Sequence, residues 1–254
     1  MRERMDLLAS THAPATLILL DLIGVPAGGQ CVDLGCGGGH IAIELARRVG
    51  PTGSVLGIDL DDELLELART EAAARGLANV AFRVGPVEQF SETDLDLAFA
   101  RMLFSHLSDP APTLAAMVAA VKPGGHVIVE DVHFAGCFTE PSCPAYDRWV
   151  GWFRETVRLT GADLDIGPRL PGLLQGAGLA DVGVRVAQPA FIDGPIKQLQ
   201  QMSMQMIRTA VLGARVTSAE DFDATHAELK AFTDDPGTLV AGPRMIQAWG
   251  RRGW

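Results

Sequence analysis

Val32-Asp33-Leu34-Gly35-Cys36-Gly37-Gly38-Gly39 joins a short apolar run to a cluster of glycines. Gln30 to Leu34 reads as a strand, and from Gly39 the apolar residues Ile41, Leu45 and Val49 recur at helical spacing up to Val49. A second strand, Ser54 to Asp59, ends in an acidic residue 20 positions after Gly39. Working outward, Asp61 to Arg75 predicts a helix, capped by Asp61 and stopped by Gly76. Val80 to Val84 and Leu95 to Ala100 read as strands, and Thr113 to Val121 as a helix, with a short helix expected over Phe104 to Pro112. Lys122-Pro123-Gly124-Gly125 is strong turn chemistry before a fifth strand, His126 to Glu130. Strands alternating with helices at this spacing predict an α/β fold, a doubly wound parallel sheet with helices on both faces. The second half is less regular. Helices are expected over Tyr146 to Thr160, Arg169 to Ala177, Gln198 to Leu212 and Ala219 to Phe232, and strands over Val182 to Val186 and Leu239 to Trp249. Pro243 interrupts the last of these and suits an edge or a bulge.

An open α/β sheet binds its ligand beyond the carboxyl ends of its strands, so the glycine cluster and Asp59 fall where a ligand would lie. Glycines let the chain turn tightly and let a ligand approach the backbone, and a carboxylate at Asp59 can accept hydrogen bonds from both hydroxyls of a ribose. A dinucleotide such as NAD fits poorly. Its fingerprint wants a glycine at the sixth slot counted from Gly35, which is His40, and Asp33 would set a carboxylate against a pyrophosphate. No Gly-Lys-Ser/Thr follows the cluster, so a P-loop is excluded. S-adenosylmethionine has a ribose, no phosphate, and a cationic end that a carboxylate at Asp33 would favour.

With these residues in view, the chain resembles the class I S-adenosylmethionine-dependent methyltransferases, in particular the small-molecule subgroup similar to quinone-biosynthesis enzymes. The resemblance rests on Val32 to Gly39, then Gly57-Ile58-Asp59-Leu60, then Ala100-Arg101 with Ser105-His106-Leu107-Ser108-Asp109-Pro110, then Val121-Lys122-Pro123-Gly124-Gly125. These pieces cover roughly residues 30 to 130 in the family's order. It implies a Rossmann-like seven-stranded sheet with the last strand antiparallel. It further implies that Asp59 holds the ribose, Leu60 flanks the adenine, and Gly35 and Gly37 face the methionine part. The segment Gly85-Pro86-Val87 would hold the adenine edge, although Pro86 stands where many relatives carry an acidic residue, and Ala100-Arg101 would line the amino-acid end.

Composition narrows the partners. The 254 residues are 48% hydrophobic, enough for a sizeable core, and carry a formal net charge of -10. That charge opposes nucleic-acid binding, which needs a positive surface to displace counterions. The segment Phe99-Ala100-Arg101-Met102-Leu103 also lacks the Asn/Asp-Pro-Pro-Tyr/Phe pattern of amino-methylating nucleic-acid enzymes. No signal peptide or membrane-spanning run of about 18 apolar residues stands out, and the four cysteines form no CxxC pair. The expectation is a cytoplasmic protein with reduced thiols, no metal, no membrane partner and a small-molecule substrate.

Residues 1–254 are expected to form one methyltransferase domain. Residues 26–133 form the cofactor-binding core, and residues 1–25, 134–160 and 194–232 cover the substrate. Methyl transfer chiefly requires alignment and the exclusion of water, so catalytic residues can be few. His133, after the fifth strand, is the candidate base. His12 on the N-terminal segment, Tyr146 and Trp149 on an aromatic-rich helix, and Met206 on a methionine-rich one are candidate pocket residues, suggesting an apolar or aromatic acceptor of a methyl group on O, N or C, as in natural-product biosynthesis. His106 is expected to order its loop. The rival readings are a nicotinamide-dependent oxidoreductase, a non-catalytic cofactor-binding regulatory member of the fold, and an enzyme that uses the same cofactor for a reaction such as cyclisation.

Overall fold

A computed structural model describes residues 2–254; Met1, the first residue of the expected N-terminal cover, lies outside the described residues. Helix α1 (Arg2–Ile23) leads into β1 (Gln30–Leu34), α2 (His40–Val49), β2 (Ser54–Asp59), α3 (Asp62–Ala74), β3 (Val80–Val84), β4 (Leu95–Arg101), α4 (Ala111–Ala120) and β5 (Val121–His133). Then come β6 (Phe138–Glu140), α5 (Pro144–Arg158), α6 (Leu170–Gly176), β7 (Leu179–Ala187), β8 (Ala190–Phe191), α7 (Leu199–Met206), α8 (Arg208–Gly213), α9 (Ala219–Asp234), β9 (Leu239–Ala241) and β10 (Arg244–Arg252).

Seven strands form one sheet in the order β3-β2-β1-β4-β5-β10-β7. β1 to β5 run parallel, and β10 is antiparallel to both β5 and β7. Helices cover both faces, as the βα alternation requires. On one face α1 and α2 bury Leu19, Leu20, Ile41, Leu45 and Val49 against Leu97, Phe99 and Ile128. On the other, Leu114, Met117, Leu170 and Leu174 of α4 and α6 meet Val32, Ala98, Val127 and Ala248. The expected cap of α3 is present: Asp61 accepts a hydrogen bond from the Leu64 N–H.

The chain departs from the expected elements where backbone chemistry intervenes. The expected strand 239–249 is two strands in two sheets, and Pro243, which has no N–H to give a ladder, lies at the crossing. β9 sits in a second, three-stranded antiparallel sheet, β6-β9-β8, whose short outer strands have no visible period in the sequence. The expected helix 198–212 is broken at Ile207 into α7 and α8. Lys122 to Gly125 are looped out of the ladder, since Leu95 pairs with Val121 and Leu97 with His126, so their turn chemistry survives inside β5. The small sheet and α5, α7, α8 and α9 close over the strand tips around a core of their own, containing Tyr146, Trp149, Met204, Val211, Phe222 and Leu229.

Candidate active site

A cavity of about 500 Å³ opens at the carboxyl ends of β1, β2 and β4, where the cover meets the sheet. The volume lies in the range of small-molecule sites. Its sheet side is built on the glycine loop. Gly35 has φ +66, and a Cβ there would come within 3.0 Å of Leu103. Gly39 has φ +74, and its Cβ would meet the Ala68 Cβ at 2.6 Å and the Phe82 ring at 2.9 Å. Gly39 therefore supplies the close helix packing that a dinucleotide fingerprint assigns to the next position, here His40.

Asp59, at the tip of β2, is held by two backbone donors: the Gly37 N–H to Oδ2 at 2.7 Å and the Asp61 N–H to Oδ1 at 3.0 Å. Each carboxylate oxygen can accept more than one hydrogen bond, so both retain capacity toward the cavity. Asp33, on β1, is 3% exposed. Burial pushes its carboxyl up to about 7, with Asp59 and Glu130 adding to the rise, while Arg101 and the Ala42 N–H in the first turn of α2 pull the other way. A ligand cation beside it would restore the charged form.

Beneath the β4 tip Arg101 belongs to a polar row whose other members, Glu130, Gln247 and Thr16, were not expected from the sequence. Arg101 and Glu130 are register partners on β4 and β5, and Gln247 on β10 is opposite Glu130. Glu130 is fully buried; its Oε2 accepts from the Thr16 hydroxyl of α1 at 2.7 Å and its Oε1 from Gln247 Nε2 at 3.1 Å. Arg101 Nη1 donates to the same Thr16 oxygen at 3.2 Å. Burial raises the Glu130 carboxyl, against the opposing pull of Arg101 and these hydrogen bonds. Asp131, also fully buried, accepts the Ser105 N–H at 3.0 Å and so ties down the loop in which His106 lies. The signal for both acids was present: two carboxylates inside the otherwise apolar run of β5.

Of the expected site residues, Asp33, Gly35, Gly37, Asp59, Arg101, His12 and Met206 all line the cavity. His12 is 4% exposed, and burial together with nearby Arg101 lowers its pKa to about 3, so it is a neutral imidazole. The cavity ends near Asp59 and Leu64 and does not take in Leu60, Pro86 or Val87. Leu60 is 70% exposed, and Val87 is buried in the main core, as is Ala100.

His133 does not reach the cavity. Successive strand residues point to opposite faces, and on β5 it is Val132 that lines the cavity, whereas His133 Nε2 lies 4.0 Å from Asp165 Oδ1. Tyr146 and Trp149 do not reach it either. They point into the core of the cover, where the Tyr146 hydroxyl donates to the Ala241 carbonyl and Trp149 stacks on Phe153. Phe153, one turn further along, is the aromatic residue of α5 that lines the cavity. Phe134, Leu164, Pro189, Phe191, Val240 and Pro243 line it too. Leu164, Pro189, Phe191, Val240 and Pro243 come from segments outside the expected covers.

The donor set fits a cationic, phosphate-free nucleoside: a glycine cradle, a carboxylate held at the β2 tip, and a buried acid on β1, all lining one cavity. The sheet order, with one antiparallel strand beside β5, and the glycine loop define the class I S-adenosylmethionine-dependent methyltransferase fold. A methyltransferase domain family matches residues 27–156, just over half of the chain, and the chain belongs to that family. It is similar to the ubiquinone biosynthesis O-methyltransferase of Acinetobacter baylyi, 36% identical over 110 residues, which are 42% of this chain and 45% of that one. It is also similar to the nocamycin O-methyltransferase of Saccharothrix syringae, 33% identical over 116 residues, 45% of this chain and 41% of the relative. The match thus spans less than half the length of these curated relatives. Among solved structures, phosphoethanolamine N-methyltransferase 2 of Haemonchus contortus, in complex with S-adenosyl-L-methionine, shares the fold. Its TM-score is 0.61 at 18% identity, covering 95% of this chain and 53% of that one. Among the described residues no helix is long and apolar enough to cross a membrane.

Proposed function

We propose that this chain binds S-adenosylmethionine across the tips of β2, β1 and β4 and directs its methyl group to a small, largely apolar acceptor held under the cover. The observation that carries this is the meeting, in one cavity, of Asp33, Asp59 and Arg101 from the sheet with Phe134, Phe153, Phe191, Leu199 and Met206 from the cover. The cofactor, when bound, supplies an electrophilic methyl group on a sulfonium.

What the protein contributes is placement. Asp59, fixed by two N–H donors, would hold the sugar hydroxyls; the Gly35 to Gly38 backbone would face the chain that joins sugar and sulfur; Asp33 would lend negative potential to the cationic centre. Arg101, over β4, would face the carboxylate end. The apolar cover displaces water from the line of transfer and orients the acceptor, the two requirements of a displacement at carbon. Neutral His12 is suited to accept a hydrogen bond from an acceptor O–H or N–H. No residue at the position first expected of a base, His133, takes part.

The test is incubation of the protein with S-adenosylmethionine carrying a labelled methyl group and a panel of hydroxylated aromatics, amines and enolisable carbonyl compounds. The expected outcome is label transfer to an acceptor with an apolar ring, lost in Asp59→Ala. Tight cofactor binding with no transfer to any member of a broad panel would point instead to a non-catalytic binding protein, and consumption of a nicotinamide dinucleotide would overturn the reading.

A further inference from the structure

The N-terminal helix carries more than a cover. Resting on the cofactor reading above, we infer that Thr16 of α1 is a positioning residue for Arg101, and that α1 is thereby an integral part of the subsite for the cofactor's amino-acid end. Thr16 is fully buried, one helical turn beyond His12 and on the same face of α1. Its hydroxyl has one proton. The Glu130 contact at 2.7 Å, shorter than the 3.3 Å contact to the His12 carbonyl, takes it, leaving the oxygen lone pairs to accept from Arg101 Nη1 at 3.2 Å. The hydroxyl therefore stands between a cation and an anion that the β4–β5 register places side by side.

The direction of each charge gives the consequence. Arg101 is attracted by Glu130 on one side and by Asp33 on the other. With the Thr16 hydroxyl in place, Glu130 is satisfied by Thr16 and Gln247, and the guanidinium remains at the cavity wall. Without it, Glu130 is a buried carboxylate short of a donor, and Arg101, its register partner on β4, is the cation attracted to it. The guanidinium then folds onto Glu130 and leaves the cavity. The rest of α1 is anchored independently: Leu19 and Leu20 are fully buried in the sheet core, and Asp21 accepts from Arg48 of α2 at 2.5 Å. A loss of the Thr16 hydroxyl is thus local, and the helix stays docked.

The ends of the ligand lie over different strands, which makes a selective readout available. Asp59 is on β2, two strands from β4 and Arg101. S-adenosylhomocysteine spans both, whereas 5′-methylthioadenosine has the same nucleoside and sulfur and no amino-acid end. Calorimetric titration of the full chain with both compounds should show Thr16→Val weakening S-adenosylhomocysteine by about tenfold, the scale of one hydrogen bond to a charged group, with methylthioadenosine unchanged. Thr16→Ser should restore the wild-type value, and Arg101→Gln should add little further loss in the Thr16→Val background. Unchanged affinity for both compounds in Thr16→Val overturns the inference, as does an equal loss for both, which marks a purely structural role. If Thr16→Val does not fold, Thr16→Ala is read against the same two compounds. Failure of the wild-type protein to bind S-adenosylhomocysteine at all counts against the cofactor reading, and is thereby told apart from failure of Thr16 to act.

Discussion

The two halves of the cavity wall are built on different terms. The sheet side presents backbone and carboxylates, fixed by register, by positive-φ glycines and by short hydrogen bonds. The cover side presents mainly Phe, Leu, Ile and Met side chains from several separate segments, with Arg4, Thr11, His12, Gln200 and Ser203 among them, and its part beyond β5 has a small core of its own. A site whose polar half is rigid and whose apolar half is assembled from exchangeable pieces can keep one ligand while changing another. On the proposed reading, the sheet supplies most of the cofactor contacts, with α1 reaching them only through Thr16, and the rest of the cover faces the acceptor.

That division can be broken, and the largest effect is expected at its base. Gly39→Ala combines left-handed backbone with a 2.6 Å approach to Ala68. It should lower unfolding stability by about 3 kcal/mol or more, read as a shift in denaturant midpoint. A midpoint within error of wild type would mean that the loop is not as closely packed as described. Next is Asp59→Ala, which should weaken S-adenosylhomocysteine by roughly 1–3 kcal/mol in calorimetry. Equal binding would remove Asp59 as the sugar ligand.

Proton linkage gives a third test. The Asp33 carboxyl is displaced upward to about 7, so the folded state prefers its neutral form. Its contribution to stability is therefore fullest below its ordinary range near pH 4 and is lost as pH rises through about 7. Glu130 and Asp131 are displaced in the same direction by burial. Ligand-free stability should fall between about pH 4 and 7 in thermal melts, and Asp33→Asn should flatten that fall. Cation binding should run the other way, with preference for S-adenosylmethionine over its neutral thioether product growing severalfold, roughly, from pH 6 to 8. A pH-independent preference would detach Asp33 from the sulfonium.

Two smaller effects sharpen the boundary on the cover side. Tyr146→Phe removes one buried hydrogen bond, to the Ala241 carbonyl, and should cost about 1 kcal/mol of stability without changing cofactor affinity. A change in acceptor turnover larger than that in stability would return Tyr146 to the pocket. His133→Ala should be nearly silent, within about 0.5 kcal/mol in stability and with turnover intact, because the ring faces Asp165 and not the cavity. A large loss of turnover would contradict its placement.

The same division explains what the sequence made legible. The sheet half is written in local code: apolar runs, a glycine cluster, an Asp cap, an acid at a strand tip. Asp33 and Asp59 could be read from it, and Gly35, Gly37 and Arg101 through the family resemblance, and all five line the cavity, whereas Leu60, Pro86, Val87 and Ala100, expected on the same resemblance, do not. The cover is written in long-range contacts. Nothing near Tyr146 or Trp149 says that α5 turns those rings toward Met204 and Phe222 and gives only Phe153 to the cavity. Phe191 sits on a two-residue strand, too short for a period to show. Thr16 is one of three hydroxyl residues on α1, with Ser10 and Thr11, and its meaning depends on Glu130, 114 positions away. His133 looked suitable by residue type and place at a strand end, and strand alternation turned it away.

On the proposed reading the strand tips grip a phosphate-free adenosyl-sulfur ligand by its sugar. Isothermal calorimetry of the wild-type protein against S-adenosylhomocysteine and NAD, in one buffer, addresses it most directly. Saturable heat with S-adenosylhomocysteine and none with NAD is the predicted result; saturable heat with NAD, or with neither compound, would contradict it.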